Sequence, residues 1–301
     1  MPDDAAAAFS ISQITTLTSS FADDVACARD AGFDAIGVWE LKLPQGGDAE
    51  ALERLEASGL GSAAAIPLVP SILPLPLMQG PEDPAERIEA ICASLHRLAP
   101  FRPSGMVCLT GPATGRDPDE ARATVVDGLR VIGEEAERAG VRVGLEPVNR
   151  VGGEDWTMVS TIRDAAALLE DAGCPGIGLQ FDVWNVWNSE TLIEDIEREC
   201  ARFVGVHVAD WREPTRSWAD RVLPGDGVAG VPAILGALER AGWIGYYDLE
   251  IFSDDGTFGN AWPDSLWAVP PRELMLRGRA ALAAAWSERN RESFDGVSPG
   301  V

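Results

Sequence analysis

The chain is short of positive charge. Its 301 residues carry 24 Lys and Arg against 48 Asp and Glu, a formal net charge of −24 at pH 7. A nucleic-acid partner is not expected, because phosphate binding needs a basic surface. The acidic excess favours solubility and is silent on fold. Histidine is scarce, with only His96 and His207. The five cysteines (Cys27, Cys92, Cys108, Cys174 and Cys200) include no C-x-x-C pair. An odd count, spread through apolar or helical stretches, points to free thiols and a cytoplasmic setting rather than secretion. The start "MPDDAAAAFS" lacks the basic and apolar regions of a signal peptide. No apolar run is long enough to span a membrane, so no membrane association is expected. The glycine-rich dinucleotide turn is also missing, since "TSSFAD" follows the first expected strand, and there is no P-loop.

What is present is alternation. Hydrophobic residues make up 46% and charged residues 24%, an ordinary globular balance. Short apolar runs read as strands: "FSISQITTL", "DAIGVWEL", "SAAAIPLVPSI", "GMVCLTG", "VRVGLEP", "IGLQFDV", "FVGVHVAD" and "YYDLEIF". Amphipathic segments between them read as helices, the first capped by Ser20 and stopped by Gly32. A final helix, "PRELMLRGRAALAAAWSERN", closes the pattern. Strands apolar on both faces and alternating with helices indicate a parallel sheet. About eight such units in this length indicate an α/β fold of the closed (β/α)8 TIM-barrel type with a C-terminal helix. A doubly wound open sheet is the competing architecture. No Ser-, Gly- or Pro-rich linker divides the chain, so residues 1–301 read as a single domain. The longest irregular stretches, "DWREPTRSWADRVLPGDGVAG" and "FSDDGTFGNAWPDSLWAVPP", follow late strands, where long loops tend to be functional.

Four of the later strands end on a polar residue: Glu146, Asp182, His207 and Glu250. Singly, each reads as a cap, a salt bridge or a structural histidine. In a barrel, however, the C-terminal strand ends converge on one mouth. Three carboxylates and one imidazole there suit one divalent ion: Mn²⁺ first, with Mg²⁺, Co²⁺ or Zn²⁺ as alternatives. The lack of thiolates argues against a structural zinc site. His96, inside a helix, receives no role.

With "GLEPVNR", "QFDVWN", "GVHVADW" and "DLEIF" in this order, the chain resembles the xylose-isomerase-like barrel superfamily. The branch it is similar to is that of the sugar phosphate isomerases and epimerases, including ketose 3-epimerases, inosose dehydratases and hydroxypyruvate isomerases. The resemblance implies that Glu146, Asp182, His207 and Glu250 hold the metal. It also implies that Glu146 and Glu250 carry a proton between the two faces of a carbon beside a carbonyl, through an enediolate stabilised by the ion. The implied activity is isomerisation or epimerisation of a keto sugar or related polyol. A lyase on the same scaffold is the alternative, either an inosose or dehydroshikimate-type dehydratase or a 3-oxo-C-glycoside deglycosidase.

Two positions depart from the ketose 3-epimerases. Asn185 stands where they have a histidine, and it cannot shuttle a proton at neutral pH. Arg212 is displaced along the loop from their arginine. Asn185, Asp210, Arg212, Arg221 and Trp184 are substrate-binding candidates. A loop cap fits Asp210 equally well, and surface salt bridges fit the arginines. "LPGDG" is a turn whose glycines would let backbone approach a ligand. Glu40 and Asn149 are lesser candidates at the rim. Trp39, Trp184, Trp187, Trp211, Trp262 and Trp267 lie at strand ends or in late loops, and fit either loop packing or a wall for a substrate larger or flatter than a triose. Phosphodiester cleavage is disfavoured by the two histidines and the acidic charge. A sugar-binding barrel without catalysis is disfavoured by the retention of both glutamates. The expected partner is a small carbohydrate, and the late loops leave room for a homo-oligomer or a partner subunit.

Overall fold

Alternation in the sequence becomes alternation in space. The computed structural model describes residues 7–76, 80–150 and 156–290. Its strands are β1 (Ala8–Ser12), β2 (Ala35–Gly37), β3 (Gly61–Ser62), β4 (Ala64–Ala65), β5 (Gly105–Cys108), β6 (Val143–Leu145), β7 (Ile177–Asp182), β8 (Phe203–Val208), β9 (Asp210–Trp211), β10 (Arg221–Val222) and β11 (Tyr246–Leu249). Its helices are α1 (Phe21–Asp30), α2 (Asp48–Ser58), α3 (Pro84–Leu98), α4 (Pro118–Ala139), α5 (Ile162–Ala172), α6 (Val183–Val186), α7 (Leu192–Glu199), α8 (Val231–Arg240) and α9 (Pro271–Glu288).

The main sheet runs in the order β3-β2-β1-β11-β8-β7-β6-β5-β4, and all its pairings are parallel. Only Ala63 separates β3 from β4. That segment therefore pairs with β2 on one side and β5 on the other, and the sheet closes into an eight-position barrel. The fold is the expected (β/α)8 barrel, not an open sheet. β9 and β10 form a small antiparallel ribbon outside it.

The helices begin and end where the chain supplies the chemistry. Ser20 accepts a hydrogen bond from the backbone N–H of Asp23 and starts α1. Asp117 accepts from the amides of Asp119 and Glu120 ahead of Pro118, and Gly140, at φ +69°, ends α4. α9 packs against α8 and α1 and completes the outer ring. No helix among the described residues is long and apolar enough to cross a membrane. All five cysteines are free.

Three expected strands are shorter than their apolar runs. β1 stops at Ser12, and Gln13–Thr16 turns as a 3-10 helix. Thr15 holds that turn across the barrel, its hydroxyl donating to the Leu249 carbonyl and accepting from the Ile251 amide. β2 stops at Gly37 before a second 3-10 turn, Glu40–Lys42. The third run ends by Ala65, ahead of Pro67 and Pro70, whose missing N–H groups cannot extend a ladder. Each early ending leaves apolar side chains at the barrel mouth. Ile14, Trp39, Ala64, Ile66, Val107 and Trp267 form an apolar cluster separate from the main core between strands and helices.

Candidate active site

Glu146 directly follows β6, Asp182 ends β7, His207 lies in β8 and Glu250 directly follows β11. Asp182 is in register with His207, and His207 with Asp248. The Glu146 amide donates to the Cys108 carbonyl at 3.0 Å and the Glu250 amide to the Val208 carbonyl at 3.1 Å. Both residues are therefore still held by the barrel ladder. All four candidate ligands are at most 6% exposed.

One ligand atom each from Glu146, Asp182 and His207 lies within 4.8 Å of the others. Glu250 stands beside them, its Oε2 3.3 Å from His207 Nδ1. Arg221 reaches in from β10 and donates through Nη1 to Asp182 Oδ2 at 2.9 Å and Glu250 Oε2 at 3.1 Å. Its guanidinium lies between the rings of Trp184 and Phe252, at 4.9 and 4.8 Å. Asn185 donates through Nδ2 to Glu146 Oε1 at 2.8 Å and Asp182 Oδ2 at 2.9 Å. The asparagine that replaces a histidine in the epimerases thus bridges two of the ligand carboxylates.

This crowding sets the protonation of the group. Burial, reinforced by the charge of Asp182, pushes Glu146 up to about 8. Burial also raises Asp182, against the pull of Arg221. Burial opposes the His207 imidazolium, but the charges of Glu250, Glu146 and Asp248 outweigh it and raise His207 to about 10. Glu250 is held below the usual carboxylate range despite burial, because His207 and Arg221 face it. Asp248, buried next to these residues, is pushed up to about 7 by its burial. Its Oδ2 lies 3.9 Å from His207 Nε2. A Cβ at Gly37 would come within 2.5 Å of the same oxygen, so a glycine there gives this carboxylate its space.

These residues fit a divalent ion. Glu146, Asp182, Asp248 and Glu250 are buried together, with Arg221 and His207 as the cations among them. Burial keeps protons on this group, and their release leaves carboxylates in excess of cations, a cost that a bound divalent ion offsets. Both ring nitrogens of His207 are buried, Nδ1 facing Glu250 at 3.3 Å, so the imidazole offers a lone pair to an ion once its proton leaves. Oxygen donors with one imidazole are the donor set of Mn²⁺, Mg²⁺ or Zn²⁺.

Above the acidic group opens a cleft of about 160 Å³. Glu146 and Glu250 line it, as do Arg221, Asn185, Asn149 and Trp184. Asp182 and His207 do not reach its surface. Asp210 does not line it either: its carboxylate accepts from the amides of Trp211, Gly225 and Ala229 at 2.8 to 2.9 Å. That fastens the "LPGDG" turn, so the geometry favours the cap over the substrate contact. Arg212 also stays outside, paired with Asp220 at 2.9 Å and Asp264 at 3.1 Å. Glu40 turns away from the cleft, accepting from Leu68, Ser94 and Arg97. Of the singled-out tryptophans, Trp39 and Trp184 face the cleft. Trp187 and Trp211 pack together, Trp262 lies under Arg216, and Trp267 packs against Phe252 and Phe258.

The structure adds residues that the sequence reading passed over. Trp156 and Trp218 form part of the cleft wall, with ring centroids 5.1 Å apart. Trp218 sits in the long stretch after β8, so loop length was its signal. Ile14, Val107 and Leu109 line the cleft with no polar atom to mark them, and nothing in the sequence distinguishes them from core residues.

Comparison with known proteins agrees with this fold. The xylose isomerase-like TIM barrel family matches residues 25–283. The inosose isomerase of Halalkalibacterium halodurans is 27% identical over 137 residues, covering 44% of this chain and 47% of that protein. The hydroxypyruvate isomerase of Escherichia coli is 24% identical over 143 residues, covering 46% and 52%. The chain thus matches about half the length of these relatives. A crystal structure of IolI protein with a bound zinc atom superposes with a TM-score of 0.76 at 18% identity, covering 95% of this chain and 100% of that one, which shows a shared fold. With the match spanning most of the barrel, the chain belongs to the xylose isomerase-like TIM barrel family.

Proposed function

We propose that the chain is a divalent-metal-dependent isomerase or epimerase of a keto sugar or related polyol. The observation that carries the reading is the convergence of Glu146, Asp182, His207 and Glu250 at adjacent strand exits beneath a walled cleft. The names of the two partial relatives, an inosose isomerase and a hydroxypyruvate isomerase, support the same class. Glu146, Asp182, His207 and Glu250 would hold the ion, Mn²⁺ in this proposal, which would supply Lewis acidity beside the cleft.

The chain's own groups do the rest. Glu146 and Glu250 both reach the cleft from strands separated by β7 and β8, so each meets the reacting carbon from its own direction. One carboxylate accepts the proton beside the carbonyl and the other returns one. Asn185 fixes the Glu146 carboxylate by hydrogen bonding. Arg221, pinned between two rings, offers N–H groups to a substrate oxygen. Apolar walls keep bulk water away from the exchanging proton. A lyase is the second reading, favoured by the apolar and aromatic wall beside Glu146 and Glu250, which would face a departing group on the carbon next to the one that loses its proton.

Proton NMR in D₂O, with Mn²⁺ and a panel of ketohexoses, inososes and oxo-glycosides, tests the reading. Deuterium is expected at the carbon beside the carbonyl, and Glu146→Gln and Glu250→Gln are each expected to slow its entry by roughly a hundredfold or more. Unchanged exchange in both variants would remove the two glutamates from the chemistry.

A further inference from the structure

The cleft has two unlike halves. Every lining residue from the N-terminal part of the chain is apolar, Ile14, Trp39, Ile66, Val107 and Leu109 among them. The polar lining residues are Glu146, Asn149, Asn185, Arg221 and Glu250, all at or after the exit of β6. An aromatic wall rises over the apolar half. Trp218 lies 5.6 Å from Phe252 and 4.9 Å from Phe258, and Phe252 lies 5.8 Å from Trp39. These rings come from three separate connections, after β2, β8 and β11.

A free polyhydroxylated sugar matches only half of this surface. A hydroxyl taken from water onto an apolar wall loses hydrogen bonds that nothing there replaces. A flat apolar group gains from the same wall, by burial and by ring–ring contact. We propose that the substrate is amphiphilic: a hydroxy-carbonyl or oxo-polyol end meets Glu146 and Glu250, and a flat apolar body joined to it lies against Val107, Leu109, Trp39, Trp218 and Phe252. The assignment rests on reading the acidic floor as a site of proton transfer beside a carbonyl. It adds the chemical class of the remainder of the substrate. A bare triose or ketohexose occupies the floor and leaves the aromatic wall facing water.

Isothermal titration calorimetry on the Mn²⁺-equilibrated protein tests this with 2-hydroxyacetophenone, hydroxyacetone and D-fructose. All three carry a hydroxy-ketone, and only the first carries a ring. The aryl ketone is expected to bind at least about tenfold more tightly than either other probe. Trp218→Ala and Phe258→Ala, at half-buried loop positions, are expected to bring that ratio towards unity. A general folding defect would weaken all probes alike and leave the ratio standing. Equal or tighter binding of D-fructose overturns the proposal, as does a ring preference that survives both substitutions. Deuterium entry at the hydroxymethyl carbon, read in the same samples, separates the two claims. Ring preference without exchange removes the proton-transfer reading and keeps the apolar seat, whereas exchange without ring preference does the reverse.

Discussion

Replacing Asp182 by Asn should uncouple the protein's stability from divalent metal while leaving the metal-free protein no weaker. Asp182 is fully buried and its pKa is raised by that burial, with Arg221 opposing. A carboxylate raised in the folded state is harder to ionise there than in the unfolded chain. Ionisation therefore costs stability at every pH above the unfolded value, and a neutral amide removes that cost. Asn keeps the oxygen that accepts from the Trp184 amide at 2.9 Å, and Arg221 keeps Glu250 as a partner at 3.1 Å. The metal response is the opposite case. An ion that binds only the folded protein, present at a hundredfold excess over its dissociation constant, stabilises by about 2.7 kcal/mol. Unfolding entropy of about 2.1 cal/mol/K per residue over 301 residues turns this into a rise of about 4 °C in the thermal midpoint. Differential scanning calorimetry on protein dialysed against chelator, then titrated with MnCl₂, measures both effects. The wild type should rise by several degrees and Asp182→Asn by none, from an equal or higher metal-free midpoint. A full metal response in the variant would refute the reasoning, because the ion would then be bound elsewhere.

Mn²⁺ affinity should increase with pH. Glu146, raised to about 8, and His207, raised to about 10, are protonated in the metal-free protein at neutral pH and must release those protons to serve as ligands. Below about pH 8 the affinity should change by up to about a hundredfold per unit, easing to about tenfold between the two values. Equilibrium dialysis that finds a constant affinity across this range would contradict it. Asp210→Ala should lower stability by about 3 kcal/mol, because the amides of Trp211, Gly225 and Ala229 lose a charged acceptor. Chemical denaturation reads that loss, and unchanged Mn²⁺ affinity in the same variant would separate the loop anchor from the ligand set.

The parts of the molecule legible in sequence are those that depend on local pattern. Helix α1 could be bounded from Ser20, which caps it, and Gly32, at φ +78° just past its end, since each acts within one helical turn. The meeting of the four acidic and imidazole residues was legible only from their joint placement at the ends of consecutive strands, since barrel strand ends converge on one mouth. Where strands stop was not legible. Ile14 continues the apolar run of β1, and only the Thr15 hydrogen bonds to the distant Leu249 and Ile251 turn the chain and send that side chain into the cleft. Asp210 and Arg221 had the same local appearance, charged residues in the loop after β8. Their opposite fates follow from tertiary partners: three loop amides for Asp210, and two buried carboxylates with two rings for Arg221.

The acidic lining of the cleft falls wholly in the chain from Glu146 onward, whereas the apolar lining is shared between that part and the part before it. The apolar lining up to Leu109 is encoded before any acidic lining residue. Variation in the coding sequence ahead of Glu146 can therefore retune the Ile14, Trp39, Val107 and Leu109 side of the cleft without touching the groups that would move a proton. Grafting the first four barrel strand exits from another member of the fold family would be a direct route to altered selectivity on an unchanged reaction centre.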